Sequence, residues 1–265
     1  MTPLVSGDWL AEHRDEVHIV DVRWYLDGRS GRAAYAAGHL PGAVWLDIDT
    51  ELSDPASAEV GRHPLPSPER FAAALGRAGI AEGQPVLAYD DAGGSIAARL
   101  WWLLHVLGEP AAVLDGGIAA WPGRLTIEAP VLAPVQRPAR PWPAHRFADA
   151  DAVAATQGVV LDARAANRFA HGDPAIDSRP GHVPGARSFP WTENLDPNGR
   201  LLAPDLLAER FAGIGDGPVL AYCGSGVTAC HDLLALAVAG REDTVLYPGS
   251  WSQWGADESR PIETG

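Results

Sequence analysis

Short apolar runs alternate with stretches of helical spacing along the whole chain. Pro85-Val86-Leu87-Ala88-Tyr89-Asp90 and Pro218-Val219-Leu220-Ala221-Tyr222-Cys223 each read as a buried strand that opens at a proline. Val20-Asp21-Val22-Arg23 and Leu161-Asp162-Ala163-Arg164 read as strands ending in Asp-x-Arg. Residues 68–75 and 204–211 begin with proline and place apolar side chains at helical spacing. Residues 96–107 are apolar nearly all round, which predicts a buried helix. Strands alternating with helices predict α/β domains, each a mainly parallel sheet flanked by helices. Ligands of such sheets sit beyond the carboxyl ends of the strands.

The pattern occurs twice. Gly38-His39-Leu40-Pro41-Gly42-Ala43 matches Gly181-His182-Val183-Pro184-Gly185-Ala186. Leu114-Asp115-Gly116-Gly117 with Trp121 matches Tyr247-Pro248-Gly249-Ser250 with Trp254. With the paired strands, these ordered matches make the chain a tandem duplication. Pro130, Pro134, Pro138, Pro141 and Pro143 predict an extended, semi-rigid connector over the surface of both domains. The expected division is a domain at 1–124, a linker at 125–146 and a second domain at 147–265.

Composition narrows the function. The 265 residues suffice for two ordinary domains. A net charge of −14, without any basic run, argues against nucleic-acid and anionic-membrane partners. The N-terminus lacks the basic-then-apolar pattern of a signal peptide. No apolar run reaches the roughly 18 residues of a membrane span. The expectation is a cytoplasmic protein. Its two cysteines cannot form a disulfide scaffold, and a reducing compartment would keep Cys223 available. Cys223, Cys230 and His231 have no metal-ligand spacing, so no metal is expected. No nucleotide-binding glycine motif follows a strand.

The candidate chemistry lies in Cys223-Gly224-Ser225-Gly226-Val227-Thr228, between a strand and the helix expected over 232–237. A thiol is mostly protonated at neutral pH, and the thiolate is the nucleophile. Backbone N–H groups of residues 224–228 can form an anion nest, aided by the helix dipole. Gly224 and Gly226 offer positive φ, and Thr228 is expected to cap the helix. The equivalent loop of the first repeat is Asp90-Asp91-Ala92-Gly93-Gly94. Only one copy is armed. A buried structural cysteine is the alternative for Cys223. Cys230 reads as a small core residue, with a resolving thiol as the alternative. A phosphatase loop would need an arginine, and this loop has none.

The two repeats, a His-x-Pro-Gly in each, the single cysteine loop and the ending Gly249-Ser250-Trp251-Ser252-Gln253-Trp254 resemble the two-domain rhodanese-type sulfurtransferases. The resemblance spans essentially the whole chain. The loop is similar to that of the 3-mercaptopyruvate sulfurtransferases. Thiosulfate-using rhodaneses usually carry basic residues directly after the cysteine. The resemblance implies a tandem duplication of a rhodanese-like domain. It further implies transfer of sulfur from 3-mercaptopyruvate, or alternatively thiosulfate, through a Cys223 persulfide without a cofactor. The acceptor would be a thiol, such as a thioredoxin-like protein or a small thiol, or cyanide. A non-enzymatic sulfide-sensing or partner-binding module is the remaining alternative. Arg168 matches the arginine that binds the substrate carboxylate. A second arginine is expected between Arg168 and His182, where Arg179 is the only candidate. Gly224, Gly226, Val227 and Thr228 complete the implied substrate cradle. Ser225 and His39 are the implied members of a proton relay. Asp27 is the aspartate nearest to His39, and the relay's acidic member is not placed. His39 and His182 read equally as turn-stabilising residues. Arg23 and Arg164 read as structural.

Overall fold

The computed structural model describes residues 1–265 and contains two compact units. The first comprises Met1–Asp54, Pro66–Trp142 and Pro197–Leu201. The second comprises Pro55–Leu65, Pro143–Asp196 and Leu202–Gly265.

The first unit runs β1 (Leu4–Val5), α1 (Gly7–His13), β2 (His18–Asp21), α2 (Gly31–Ala37), β3 (Val44–Trp45), α3 (Pro68–Arg77), β4 (Val86–Tyr89), α4 (Ala97–His105) and β5 (Ala111–Leu114). Its five strands are parallel in the order β1-β5-β4-β2-β3. Strand β4 is buried at every position, as an interior strand covered on both faces must be. Helix α4 packs on β4 and β5 and buries Trp101 and Trp102, in agreement with its all-round apolar sequence. Helix α3 starts as its sequence predicts: Pro68 opens the first turn and Ser67 accepts from the Arg70 N–H.

The second unit runs α5 (Ala150–Ala155), β6 (Val159–Asp162), α6 (Ala166–His171), β7 (Arg187–Ser188), α7 (Pro204–Phe211), β8 (Val219–Tyr222), α8 (Ala229–Val238), β9 (Thr244–Leu246) and α9 (Ser250–Trp254). The parallel order is β7-β6-β8-β9. Interior strand β8 is wholly buried, and Cys223 is the first residue beyond its carboxyl end.

The duplication extends to single hydrogen bonds. Arg23 Nη2 donates to Asp21 at 2.6 Å and to the Gly38 carbonyl at 2.7 Å. Arg164 Nη2 donates to Asp162 at 2.6 Å and to the Gly181 carbonyl at 2.8 Å. The Asp-x-Arg pair therefore clips a strand end to the His-x-Pro-Gly turn in each unit, the structural role expected for both arginines. Tyr89 and Tyr222 accept from the Leu40 and Val183 N–H groups of the same turns.

Residues of the proline-rich stretch up to Trp142 belong to the first unit. Thr126 pairs with His39, the Val135 N–H donates to Gly76, and Trp142 Nε1 donates to Pro66. Arg137 forms a buried ion pair with Glu109. No helix is long and apolar enough to cross a membrane.

Candidate active site

The chain leaves β8 at Cys223 and turns sharply before α8. Gly226 makes the turn possible. Its φ is 75°, and a Cβ there would lie 2.6 Å from the Pro248 carbonyl oxygen. Cys223 is buried, and its Sγ accepts from the N–H groups of Gly226 at 3.1 Å and Ser225 at 3.4 Å. Two donors, rather than the whole run 224–228, thus face the sulfur. Gly224 is not at positive φ. Its missing side chain has another cause: a Cβ would lie 2.9 Å from Arg62 Nη2 and 3.1 Å from Arg168 Nη2.

The loop is braced from α9. The Trp251 and Ser252 N–H groups donate to the carbonyls of Cys223 and Gly224, each at 2.9 Å. Ser250 is the one non-glycine residue in the left-handed region, at φ 52°. Its hydroxyl accepts from the Cys223 N–H at 3.1 Å and donates to the Tyr247 carbonyl at 2.9 Å. The first unit places Gly117 at this position, with φ 57°. The second unit has accepted a strain of about 1–2 kcal/mol to keep a hydroxyl behind the cysteine.

The first unit's loop is a cradle too, but it is filled by its own side chain. Asp90 Oδ1 accepts from the Ala92 and Gly94 N–H groups, and Oδ2 from Ile96 and Ala97, all within 2.8–2.9 Å. Burial pushes the Asp90 carboxyl up, while these N–H groups pull it down. Both copies hold an anionic or polarisable group at the strand end, and only the second copy's is a thiol.

Arg168 lies on α6. Its Nε and Nη2 donate to the buried carboxylate of Asp177 at 3.0 and 2.5 Å. Arg62 reaches the same place from Pro55–Leu65, donating through Nη1 to the Ile176 carbonyl at 2.8 Å. Burial pulls the Arg62 guanidinium below its ordinary value. The nearby Cys223 and Asp177 oppose that, and Arg168 adds to it. Next in sequence, His63 is buried, and its Nδ1 lies 2.8 Å from Ser225 Oγ.

Several expected site residues sit elsewhere. Both ring nitrogens of His39 face backbone carbonyls, Tyr35 at 2.8 Å and Glu128 at 3.2 Å, and the ring stacks on Tyr35. His182 likewise faces the Phe169 carbonyl and stacks on Phe169. Both are turn anchors, and the histidine beside Ser225 is His63, not His39. Asp27 pairs with Arg29 on the surface. Arg179 donates to four backbone carbonyls, those of Trp254, Gly255, Asp257 and Arg260, and so secures the chain after α9. The second guanidinium at the loop is that of Arg62, not Arg179. Thr228 has helical φ and ψ and makes no side-chain cap. Val227 packs in the core. Cys230 is fully buried inside α8, its thiol donating to the Gly226 carbonyl at 3.4 Å.

Sequence reasoning missed Arg62, His63 and Ser250. The first two stand in Val60-Gly61-Arg62-His63-Pro64, an adjacent basic pair in an acidic chain. Ser250 was visible only as a serine replacing Gly117 of the other repeat.

Fold and loop together define a doubly repeated α/β protein with one thiol-bearing copy. A rhodanese-like domain model matches residues 6–123 and again 147–257. The chain is 43% identical to the probable 3-mercaptopyruvate sulfurtransferase of Pseudomonas aeruginosa, covering 99% of this chain and 98% of that one. It is 40% identical to a putative thiosulfate sulfurtransferase of Mycobacterium tuberculosis, covering 95% and 92%. The crystal structure of the Escherichia coli 3-mercaptopyruvate enzyme aligns with a TM-score of 0.82 at 36% identity, over 95% of this chain and 99% of that one. The chain belongs to the rhodanese family, and it is a sulfurtransferase enzyme.

Proposed function

We propose that the protein moves sulfur from 3-mercaptopyruvate to a thiol or cyanide through a persulfide on Cys223, releasing pyruvate. The observation that carries this is Cys223 Sγ held by the Ser225 and Gly226 N–H groups, with two guanidinium groups at Gly224. The guanidinium of Arg168, aligned by Asp177, grips the carboxylate and places the donor sulfur against Cys223. The thiolate attacks that sulfur. An S–S bond forms, the C–S bond breaks, and the electron pair leaves on the pyruvate enolate. The donor's thiol proton passes to the enolate carbon, with the Ser225–His63 pair as its carrier. The terminal persulfide sulfur then takes the place of the thiolate before the N–H donors. An acceptor thiolate or cyanide attacks it and frees Cys223.

No metal or cofactor takes part in this scheme. The working copy is 147–265, the first copy at 1–124 carries no nucleophile, and 125–146 joins them. The compartment is the cytoplasm, where reduced thiols are available as acceptors. Cys223→Ser is expected to abolish pyruvate release from 3-mercaptopyruvate, measured by a coupled lactate dehydrogenase assay. Release near the wild-type rate would sink the assignment. A thiosulfate donor is the second reading, favoured by the Mycobacterium tuberculosis relative and by the two cationic groups, which also suit a dianion. The neutral Gly224-Ser225 pair after the cysteine supports 3-mercaptopyruvate as the better donor.

A further inference from the structure

We infer that Arg62 is the second carboxylate ligand of the sulfur donor, so that the segment Pro55–Leu65 sets selectivity for a 2-oxo acid donor. This deepens the proposed function and rests on its reading that Cys223 takes sulfur from a carboxylate-bearing donor.

The side chain springs from a fixed backbone. Ser57 and Gly61 exchange two hydrogen bonds, at 3.2 and 2.8 Å. Gly61 has φ 90°, and a Cβ there would lie 2.5 Å from the Gly249 carbonyl oxygen, so the segment lies flush on the turn before α9. The Arg62 N–H donates to Ser252 Oγ at 3.0 Å, and Gln253 Nε2 donates to the Glu59 carbonyl at 2.5 Å. Little entropy remains to be lost when this guanidinium meets a ligand.

One short turn anchors both arginines. Ile176 holds Arg62 Nη1 through its carbonyl, and the next residue, Asp177, holds Arg168 through its carboxylate. Arg168 Nη2 is already committed to Asp177, and the unmatched donor lies on Arg62. Arg62 Nε is buried with no hydrogen-bond partner, and Arg62 has no ion pair. Its Nη2 and both terminal nitrogens of Arg168 surround the empty side-chain position of Gly224. Leaving a buried donor unpaired beside a like charge is unfavourable, and the arrangement makes sense where an anion completes it. A planar carboxylate matches a guanidinium fork, and two forks can hold its two oxygens while the sulfur points at Cys223. Arg62 thus brings the positive charge to the loop from outside, into the space a side chain at 224 would need. That explains a loop with no basic residue of its own.

The test uses the full-length protein and the variants Arg62→Met and Arg62→Lys. In Arg62→Met the KM for 3-mercaptopyruvate is expected to rise roughly 10- to 100-fold, as for loss of a charged hydrogen bond. The kcat changes far less, and Arg62→Lys recovers part of the loss. A second readout needs no turnover: the ratio of Cys223 alkylation rates by iodoacetate and iodoacetamide. The ratio is expected to fall about tenfold in Arg62→Met, because only the anionic reagent uses the grip. An unchanged KM and an unchanged ratio would overturn the inference. So would equal losses with both reagents together with a lowered melting temperature, which would make Arg62 a scaffold residue. If the ratio depends on Arg62 but 3-mercaptopyruvate donates no sulfur, the proposed function fails and the donor selectivity falls with it, leaving Arg62 only as a carboxylate ligand beside Cys223. Sulfur transfer from 3-mercaptopyruvate with an unchanged ratio and KM overturns the Arg62 inference alone.

Discussion

Replacing Asp232 by Asn should make the protein's stability much less sensitive to alkaline pH. Asp232 is fully buried in the first turn of α8, directly below the cysteine loop. Its Oδ1 accepts from Asn194 Nδ2 at 2.7 Å, and its Oδ2 has no hydrogen-bond partner. Burial dominates and pushes the carboxyl up to about 8, against the opposing pull of Asn194 and Arg210, while Asp162 and Glu193 push the same way as burial. The folded protein therefore holds a proton that the unfolded chain releases above pH 3.8. With the folded value raised, stability from this group is complete below pH 3.8 and drains away as pH rises towards 8. At about 1.4 kcal/mol per pH unit, wild type should lose on the order of 3–4 kcal/mol between about pH 5 and pH 8. An asparagine keeps the bond from Asn194 and is neutral throughout. Its unpartnered amide adds a constant cost of about 1–3 kcal/mol, which does not vary with pH. Urea unfolding followed by tryptophan fluorescence at pH 5, 6, 7 and 8 gives both curves. The variant should be equal or weaker at pH 5 and should overtake wild type by pH 8. Curves that stay parallel across the range would refute the reasoning.

Substitutions at four further positions separate chemistry from scaffold. Ser250→Ala removes the hydroxyl that ties the Cys223 N–H while leaving φ at 52°. It should cost about 1–3 kcal/mol by thermal melting and slow sulfur uptake. Ser250→Gly should regain the stability but not the uptake rate, and full uptake in that variant would show that the hydroxyl has no role in placing the cysteine. Arg179→Met should lower stability by about 2–4 kcal/mol through its four lost carbonyl bonds, with the KM for the donor nearly unchanged; a KM rise matching that of Arg62→Met would return Arg179 to the binding site. His63→Ala should lower kcat for pyruvate release roughly a hundredfold, whereas His39→Ala should lower the melting temperature and leave kcat near wild type. The reverse pattern would restore His39 to the relay.

The alternation of apolar strands and helices carried the fold into view because it records which faces of local elements are buried. Strands β4 and β8, helix α4 and the doubled Asp-x-Arg clip all lie where their residues predict. The cysteine loop was legible for the same reason: a strand end, glycines and a helix start are local features. The segment Pro55–Leu65 has no such periodicity. Its place comes from the fit of Gly61 against Gly249 and from the Arg62 N–H on Ser252, contacts nearly two hundred residues apart in the chain. Between Arg168 and His182 the chain offers only Arg179, whose guanidinium is taken up by backbone carbonyls. His39 misled for a related reason. A histidine in a repeated turn motif carries the same sequence signature whether it anchors the turn or faces a substrate. The structure separates the two, because His39 is stacked on Tyr35 and faces carbonyls, while His63 lies beside Ser225.

The most direct measurement is the intact mass of the protein, with peptide mapping, after brief exposure to 3-mercaptopyruvate or to thiosulfate and removal of the donor. The account predicts one added sulfur atom on Cys223, none on Cys230, and faster loading from 3-mercaptopyruvate. A cysteine that stays unmodified with both donors, or sulfur found only on Cys230, would contradict it.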